Sequence, residues 1–210
     1  MASAPPVTGR TEEPVAAAPT EVTPTGIDLA IGAGALLPAT SFTSGSGETL
    51  LGGASLEAHV GYYFMSHLGV VRGFRGSLGH QIRGCSDSDK CSGYSLQVPV
   101  MLEIAANHRA RGFYGAAGVG LLTTYSTSAG DVTATLHSPL ELKLGVGYRV
   151  GSGNKSAFER MLAVDINAGV DIGRVTSADL QVGSNEASGS IDNPTVHVVV
   201  ALGVSGHFSL

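Results

Sequence analysis

Charge is scarce in this chain. Asp, Glu, Lys and Arg make up 14% of its 210 residues, against roughly 25% in soluble domains. Hydrophobic residues reach 43% and the mean hydropathy is +0.21. A disordered protein needs the opposite balance, low hydrophobicity and high charge. Positive charge is scarcer still: 12 Lys and Arg against 17 Asp and Glu leave a net charge of −5. That argues against a nucleic-acid binder, which needs a basic face for phosphates. Long apolar runs are also missing. No stretch of about 18 uninterrupted apolar residues occurs, so helical membrane spans are excluded. What the chain has in plenty is glycine, 30 residues, about twice the ~7% average. An apolar, glycine-rich, charge-poor chain of 21.3 kDa reads as a single all-β domain, with or without a tail.

There are two cysteines, Cys85 and Cys91, with Ser86-Asp87-Ser88-Asp89-Lys90 between them. Two Cys this close in a polar loop predict a local disulfide and an oxidising compartment. Closing so short a ring is worth about 2.4 kcal/mol in the chain-entropy model. Two free thiols are the other reading. A metal site lacks its usual four ligands, and Asp87-Ser88-Asp89 lacks the Gly and Glu of a calcium loop.

Residues 1–25 are dominated by Pro, Ala, Thr and Glu without apolar periodicity. They read as a disordered tail or linker. They do not read as a signal peptide, because no basic stretch precedes an apolar one. An export signal is expected to have been removed or to lie upstream.

From residue 26 to 210 the hydropathy alternates with period two, the strand signature. Eight segments are predicted: 27–37, 54–64, 68–78, 94–104, 113–121, 140–148, 162–172 and 196–208. Each is long enough to cross a bilayer as a tilted strand, which takes about 9–11 residues. Connections alternate between long (38–49, 79–93, 123–138, 173–194) and shorter (65–67, 106–111, 150–157). Long outer loops and short periplasmic turns have this pattern in outer-membrane barrels.

One face of each segment is apolar, as in Leu162, Val164, Ile166, Ala168, Val170 and Ile172. Charge is absent from that face in seven segments. In 68–78, Arg72 and Arg75 fall on opposite faces, and a β-bulge near Arg72-Gly73 is predicted to turn both inward; snorkelling is the alternative. The other face carries Asp28, Glu57, His59, Glu103, Glu141, Lys143, Asp165, Asn167, Asp171 and His197 among small residues. These are the candidate polar network of a narrow lumen, which side chains fill. Lys143 is predicted to pair with Glu57 or Asp165. Arg149 is assigned to a basic short-turn rim with Arg109, Arg111, Lys155 and Arg160. Tyr62, Phe64, Phe113, Tyr148, Phe158 and Phe208 are predicted to form an aromatic girdle at that end. Phe42, Phe74, Tyr94 and Tyr125 lie toward the other.

Three stretches, Leu96-Gln97-Val98-Pro99-Val100-Met101-Leu102-Glu103, Phe113-Tyr114-Gly115-Ala116-Ala117-Gly118-Val119-Gly120 and Leu142-Lys143-Leu144-Gly145-Val146-Gly147-Tyr148-Arg149, carry a resemblance. Through them residues 26–210 resemble the small outer-membrane β-barrel family of OmpA- and OmpX-like proteins. The resemblance implies an eight-stranded antiparallel up-and-down transmembrane β-barrel in the outer membrane of a Gram-negative bacterium. It also implies periplasmic termini, a monomer surrounded by outer-membrane lipid, and insertion by the barrel machinery through the C-terminal strand. The family ends on an aromatic residue; here Phe208 is followed by Ser209-Leu210.

The function expected is a structural or interaction scaffold with exposed outer loops and a side-chain-plugged lumen. A narrow cation-preferring pore is the alternative, because the inward charges are mostly acidic. A soluble lipocalin-like ligand-binding barrel is another, if the charged face is outside. No cofactor is implied. Catalysis is not expected: His137-Ser138 point to opposite faces, His207 and Ser209 share only the lumen face, and no G-x-S-x-G elbow occurs.

Overall fold

The computed structural model describes residues 26–40, 42–44, 47–50, 52–65, 67–79, 81–82, 91–106, 112–151 and 162–209. Among the described residues eleven strands follow one another. They are β1 (Gly26–Pro38), β2 (Phe42–Ser44), β3 (Gly47–Leu50), β4 (Gly53–Met65), β5 (Leu68–Leu78) and β6 (Gln81–Ile82). Then come β7 (Cys91–Ala105), β8 (Gly112–Ala129), β9 (Val132–Gly151), β10 (Leu162–Val182) and β11 (Asn185–Ser209). Eight of them close an antiparallel barrel in the order β1-β11-β10-β9-β8-β7-β5-β4, and β2, β3 and β6 form a small separate sheet. Each barrel strand pairs with its neighbours in sequence, and β1 with β11 completes the ring. The up-and-down barrel predicted by the period-two pattern is the observed fold. The tail at 1–25 lies outside the described residues.

The alternation fixes which way the wall faces. Leu29, Ile31, Leu56, Val60, Leu102, Leu142, Val146, Val164, Ile166, Val200 and Leu202 are exposed on the outside. Asp28, Glu57, Glu103, Glu141, Lys143, Arg149, Asp165 and Asp171 are buried inside. A water-soluble domain sorts its residues the other way.

Two predicted loops are strands instead. Residues 123–138 and 173–194 prolong β8, β9, β10 and β11 into hairpins that turn at Gly130-Asp131 and Gly183-Ser184. Gly130 and Gly183 both have φ +59°, as the first position of a two-residue hairpin turn requires. The arms are rich in Thr, Ser and Val, as in Thr133-Ala134-Thr135. Such residues suit a pleated strand, yet the arms carry no continuous apolar face, so a test that needs one passes them over. On this extension Ser188 and His137 hydrogen-bond Asp179 and hold its carboxyl below the usual range.

Leu122 adopts a left-handed backbone, φ 54°, next to a register shift between Leu96 and Val98. The alternation reverses there, so Leu121 faces out while Thr123 and Tyr125 are buried. Tyr125, expected toward the rim, therefore packs inside with Leu36, Val175 and Val199, against Leu136 and Ile191. This apolar cluster caps the lumen at the long-hairpin end. The bulge predicted at Arg72-Gly73 is absent. Register is continuous from Leu78 to Gly69 opposite β4, so Arg72 stays outside and only Arg75 turns in.

The β1–β11 closure is tight at Gly34, where a methyl group would sit 2.0 Å from the Val200 carbonyl oxygen and 2.6 Å from Ala201 Cα. Overpacking against backbone costs about 1–3 kcal/mol or more. Gly34→Ala is therefore expected to lower the urea midpoint of the folded barrel in detergent. Gly189→Ala, with nothing within 4 Å, is expected to change stability by less than about 0.5 kcal/mol.

Candidate functional site

The lumen residues form two charged layers. Arg149, near the end of β9, centres the first. Its Nε donates to Asp165 Oδ2 at 2.8 Å, across the in-register pair of β9 and β10. Its Nη2 donates to Glu103 Oε2 at 2.7 Å, and its Nη1 to Glu103 Oε1. Tyr63 donates its hydroxyl to Glu103 and accepts from Arg149 Nη1 at 3.1 Å. Tyr114 donates to Asp165 Oδ1 at 2.7 Å, and the guanidinium lies 4.0 Å over the Tyr114 ring. One fork thus serves two carboxylates and an aromatic face, a task for which lysine lacks the geometry.

The second layer lies nearer the long hairpins. Arg75 donates to Glu57 Oε2 from Nε at 3.2 Å and Nη2 at 3.1 Å, and to Asp171 Oδ2 at 2.9 Å. Lys143 donates to the same Asp171 oxygen at 2.5 Å and to Gln97 Oε1 at 2.8 Å. Gln97 passes the chain on to Glu141 at 3.1 Å, and Tyr125 donates to Glu141 at 2.7 Å. Asn167 donates to Glu57 Oε1 at 3.3 Å. His197 stacks on Tyr125 with 5.4 Å between centroids. Between the layers is a cavity of about 80 Å³ whose polar lining includes Glu57, His59, Arg75, Glu103, Arg149 and Asp171.

Lys143 corrects the predicted pairing with Glu57 or Asp165. Its partner is Asp171, its direct cross-strand neighbour in the β9–β10 register. Arg149 is likewise not a rim residue: it is buried in the lumen. Sequence reasoning misses its partner set because Arg149 falls just past the end predicted for its strand at 148. Gln97, expected with Met101 among the side chains that fill the lumen, is buried there as a link of the network. Sequence reasoning also leaves Tyr63, Tyr114 and Tyr125 out of the network. Inward parity is a signal for the first two, whereas Tyr125 depends on the reversal at Leu122.

Asp28 and His207 face each other across the β1–β11 seam, with Asp28 Oδ1 2.7 Å from His207 Nδ1. Ser205 Oγ lies 3.2 Å from the other ring nitrogen, so His207 is bonded toward Ser205. The three are spaced as a nucleophile, base and orienter would be. Ser205 is only 2% exposed, which leaves no approach for a substrate. The arrangement serves as a clamp on the seam.

Outside the wall, Tyr62, Phe64, Phe113 and Tyr148 are exposed at the short-turn end. Phe113 and Tyr148 touch edge to face at 4.7 Å. Phe158 lies outside the described residues. Phe208 is described by its backbone, paired with Ile27. Cys85 lies outside the described residues, and Cys91 is placed by backbone alone at the start of β7.

Among the described residues Arg149 is the only cation paired with Glu103 and Asp165, while Asp171 has both Lys143 and Arg75. Removing one partner of a buried pair costs about 3–5 kcal/mol. Arg149→Leu is expected to lose at least that much by urea unfolding. Lys143→Ala should lose less, because Arg75 remains on Asp171. Equal losses would contradict the compensating role of Arg75 at Asp171.

No family model matches the chain, and no curated protein sequence does. Two solved structures are similar to it. A major outer membrane protein from Thermus thermophilus is 14% identical, with a TM-score of 0.64, covering 88% of this chain and 99% of that one. The outer membrane protein OprG from Pseudomonas aeruginosa is 16% identical, with a TM-score of 0.56, covering 90% and 99%. At these identities the likeness is one of fold, and the chain has the fold of small outer-membrane β-barrel proteins.

Proposed function

We propose that this chain is an integral outer-membrane barrel with a plugged lumen, acting as a structural or interaction scaffold through its projecting hairpins. The observation that carries this reading is the inverted polarity of the wall. Its outside is an apolar belt with a row of aromatics at one end, and its inside holds the charge. Lipid favours such a surface and water does not. A lipocalin-like barrel needs an apolar interior for its ligand, and this interior is ionic.

The plug favours a scaffold over a pore. Both layers cross the lumen, and the apolar cluster of Leu36, Tyr125, Val175 and Val199 lies above them. The pore reading draws on charge: among the described residues six inward carboxylates (Asp28, Glu57, Glu103, Glu141, Asp165, Asp171) face three cations (Arg75, Lys143, Arg149). Such a lining favours cations wherever water passes. Gly26 and Ser209 pair at the rim that also holds the turn from Met65 to Leu68. The start of β1, the end of β11 and the β4–β5 connection therefore share one side, which in this reading is the periplasmic one. Insertion proceeds through the C-terminal strand, the barrel is a monomer, and Cys85 and Cys91 form a disulfide on the opposite side.

Purified protein is expected to need detergent, to migrate faster unheated than boiled, and to give no steady current in a planar bilayer. Clean solubility in buffer would overturn the membrane reading. A stable cation-selective current would replace the scaffold by the pore. Val164→Arg should block insertion, since Arg at mid-depth costs about 2–4 kcal/mol on a lipid face. Asn167→Arg, beside Glu57 in the lumen, should insert more readily; equal damage would contradict the orientation of the wall.

A further inference from the structure

Among the described residues Arg72 is the charge that interrupts the apolar belt. Its nearest outward neighbours are Val70 and Phe74 on β5, Val60 across the β4 pair and Val100 across the β7 pair. Among the described residues it makes no ion pair and no hydrogen bond, although it is exposed. The other outward arginine among the described residues, Arg174, donates from Nη1 to both carboxylate oxygens of Asp192, at 2.7 and 2.8 Å, on the long-hairpin extension. The wall thus supplies an acceptor for one arginine and none for the other.

Placement decides what kind of acceptor Arg72 can reach. It lies four residues from Leu68, where β5 begins. With about 3.3 Å per residue and a tilt near 40°, its Cα is about 10 Å above that end of the strand. A side chain at this depth can snorkel to the interface on the short-turn side. A guanidinium offers five donors in a planar fork that matches phosphate oxygens. Beside it a shallow groove runs across β11, β1, β4 and β5. Leu29, Ile31, Val60, Phe74 and Val204 line it, and Ala58 keeps it open.

We propose that Arg72 and this groove form a binding site for one anionic phospholipid of the short-turn leaflet. The phosphate is held by the Arg72 guanidinium and one acyl chain lies in the groove. The site rests on the membrane reading above. A net-anionic lipid is the occupant because no carboxylate among the described residues neutralises Arg72, and a zwitterionic headgroup brings its own competing ammonium.

The test uses the full chain reconstituted in phosphatidylcholine vesicles with trace spin-labelled phosphatidylglycerol or spin-labelled phosphatidylcholine. The readout is the motionally restricted fraction of each label, with unheated gel mobility reporting the folded barrel. The unmodified chain is expected to prefer phosphatidylglycerol about five-fold, corresponding to about 1 kcal/mol for one cation near a membrane surface. Arg72→Gln should remove the preference with the folded band unchanged, and Arg72→Lys should keep most of it. Ala58→Phe fills the groove and should weaken the preference with the charge intact. No preference in the unmodified chain, or a preference that survives Arg72→Gln, overturns the site. A preference untouched by Ala58→Phe overturns the groove as the seat of the chain. A protein that stays outside the vesicles and shows no heat-dependent mobility overturns the membrane reading and the site with it.

Discussion

Fitting long charged side chains into an eight-stranded lumen is the constraint on which this molecule depends. Such a barrel has room for side chains and little else. The chain meets the constraint by setting its large lumen residues against glycine on the next strand. Tyr63 is paired with Gly69, Tyr114 with Gly147, Glu141 with Gly173, His59 with Gly73 and Glu57 with Gly32. A methyl group at Gly147 would fall 2.3 Å from the Tyr114 ring, and one at Gly173 would fall 2.4 Å from Glu141 Cγ. Lys143 uses the same device diagonally, with its Cε 2.5 Å from a methyl at Gly120. The glycine excess is therefore the complement of the ionic network. Glycine weakens a strand interior, and here it makes room for the buried pairs.

Those pairs explain how so many charges can sit inside the wall. An isolated buried charge is far more costly than a paired and hydrogen-bonded one. Arg149 satisfies two carboxylates and accepts the face of a tyrosine, so one cation covers most of a layer. In the second layer Asp171 is the shared element, bridging Arg75 and Lys143 through one oxygen. Gln97 then links Lys143 to Glu141, bonding one with its oxygen and the other with its nitrogen. This is a relay that a charged residue in its place could not perform.

Most of the architecture is legible from period-two alternation, because the barrel has one dry face and one polar face along most of each strand. Leu162 to Ile172 alone determines the inward set Asp165, Asn167 and Asp171. Legibility fails where that contrast fails. The prolonged arms of β8 to β11 have no continuous apolar face, so Thr133-Ala134-Thr135 reads as loop. The reversal at Leu122 depends on one backbone angle that leucine rarely adopts, and Tyr125 follows it inside. Partner choice in the lumen is partly hidden too. Lys143–Asp171 follows from register, but register between two strands cannot be read from either strand by itself. At Arg72 the expectation of a bulge assumes that a charge must leave the apolar face, whereas the regular ladder keeps it there.

The seam between β1 and β11 differs from the other joints in one respect. Each of those links strands that follow one another in the chain, so it can form as a local hairpin or meander. The seam joins Gly26 to Ser209 and Asp28 to His207, across nearly the whole sequence. Its closure entropy falls due only once the intervening strands are ordered. The tight approach at Gly34 and the Asp28–His207 contact are therefore late contacts, absent from any open-sheet intermediate. Interactions of that kind act on the rate of opening more than on the rate of assembly. The seam is thus the place where this barrel's lifetime, as distinct from its speed of folding, is set.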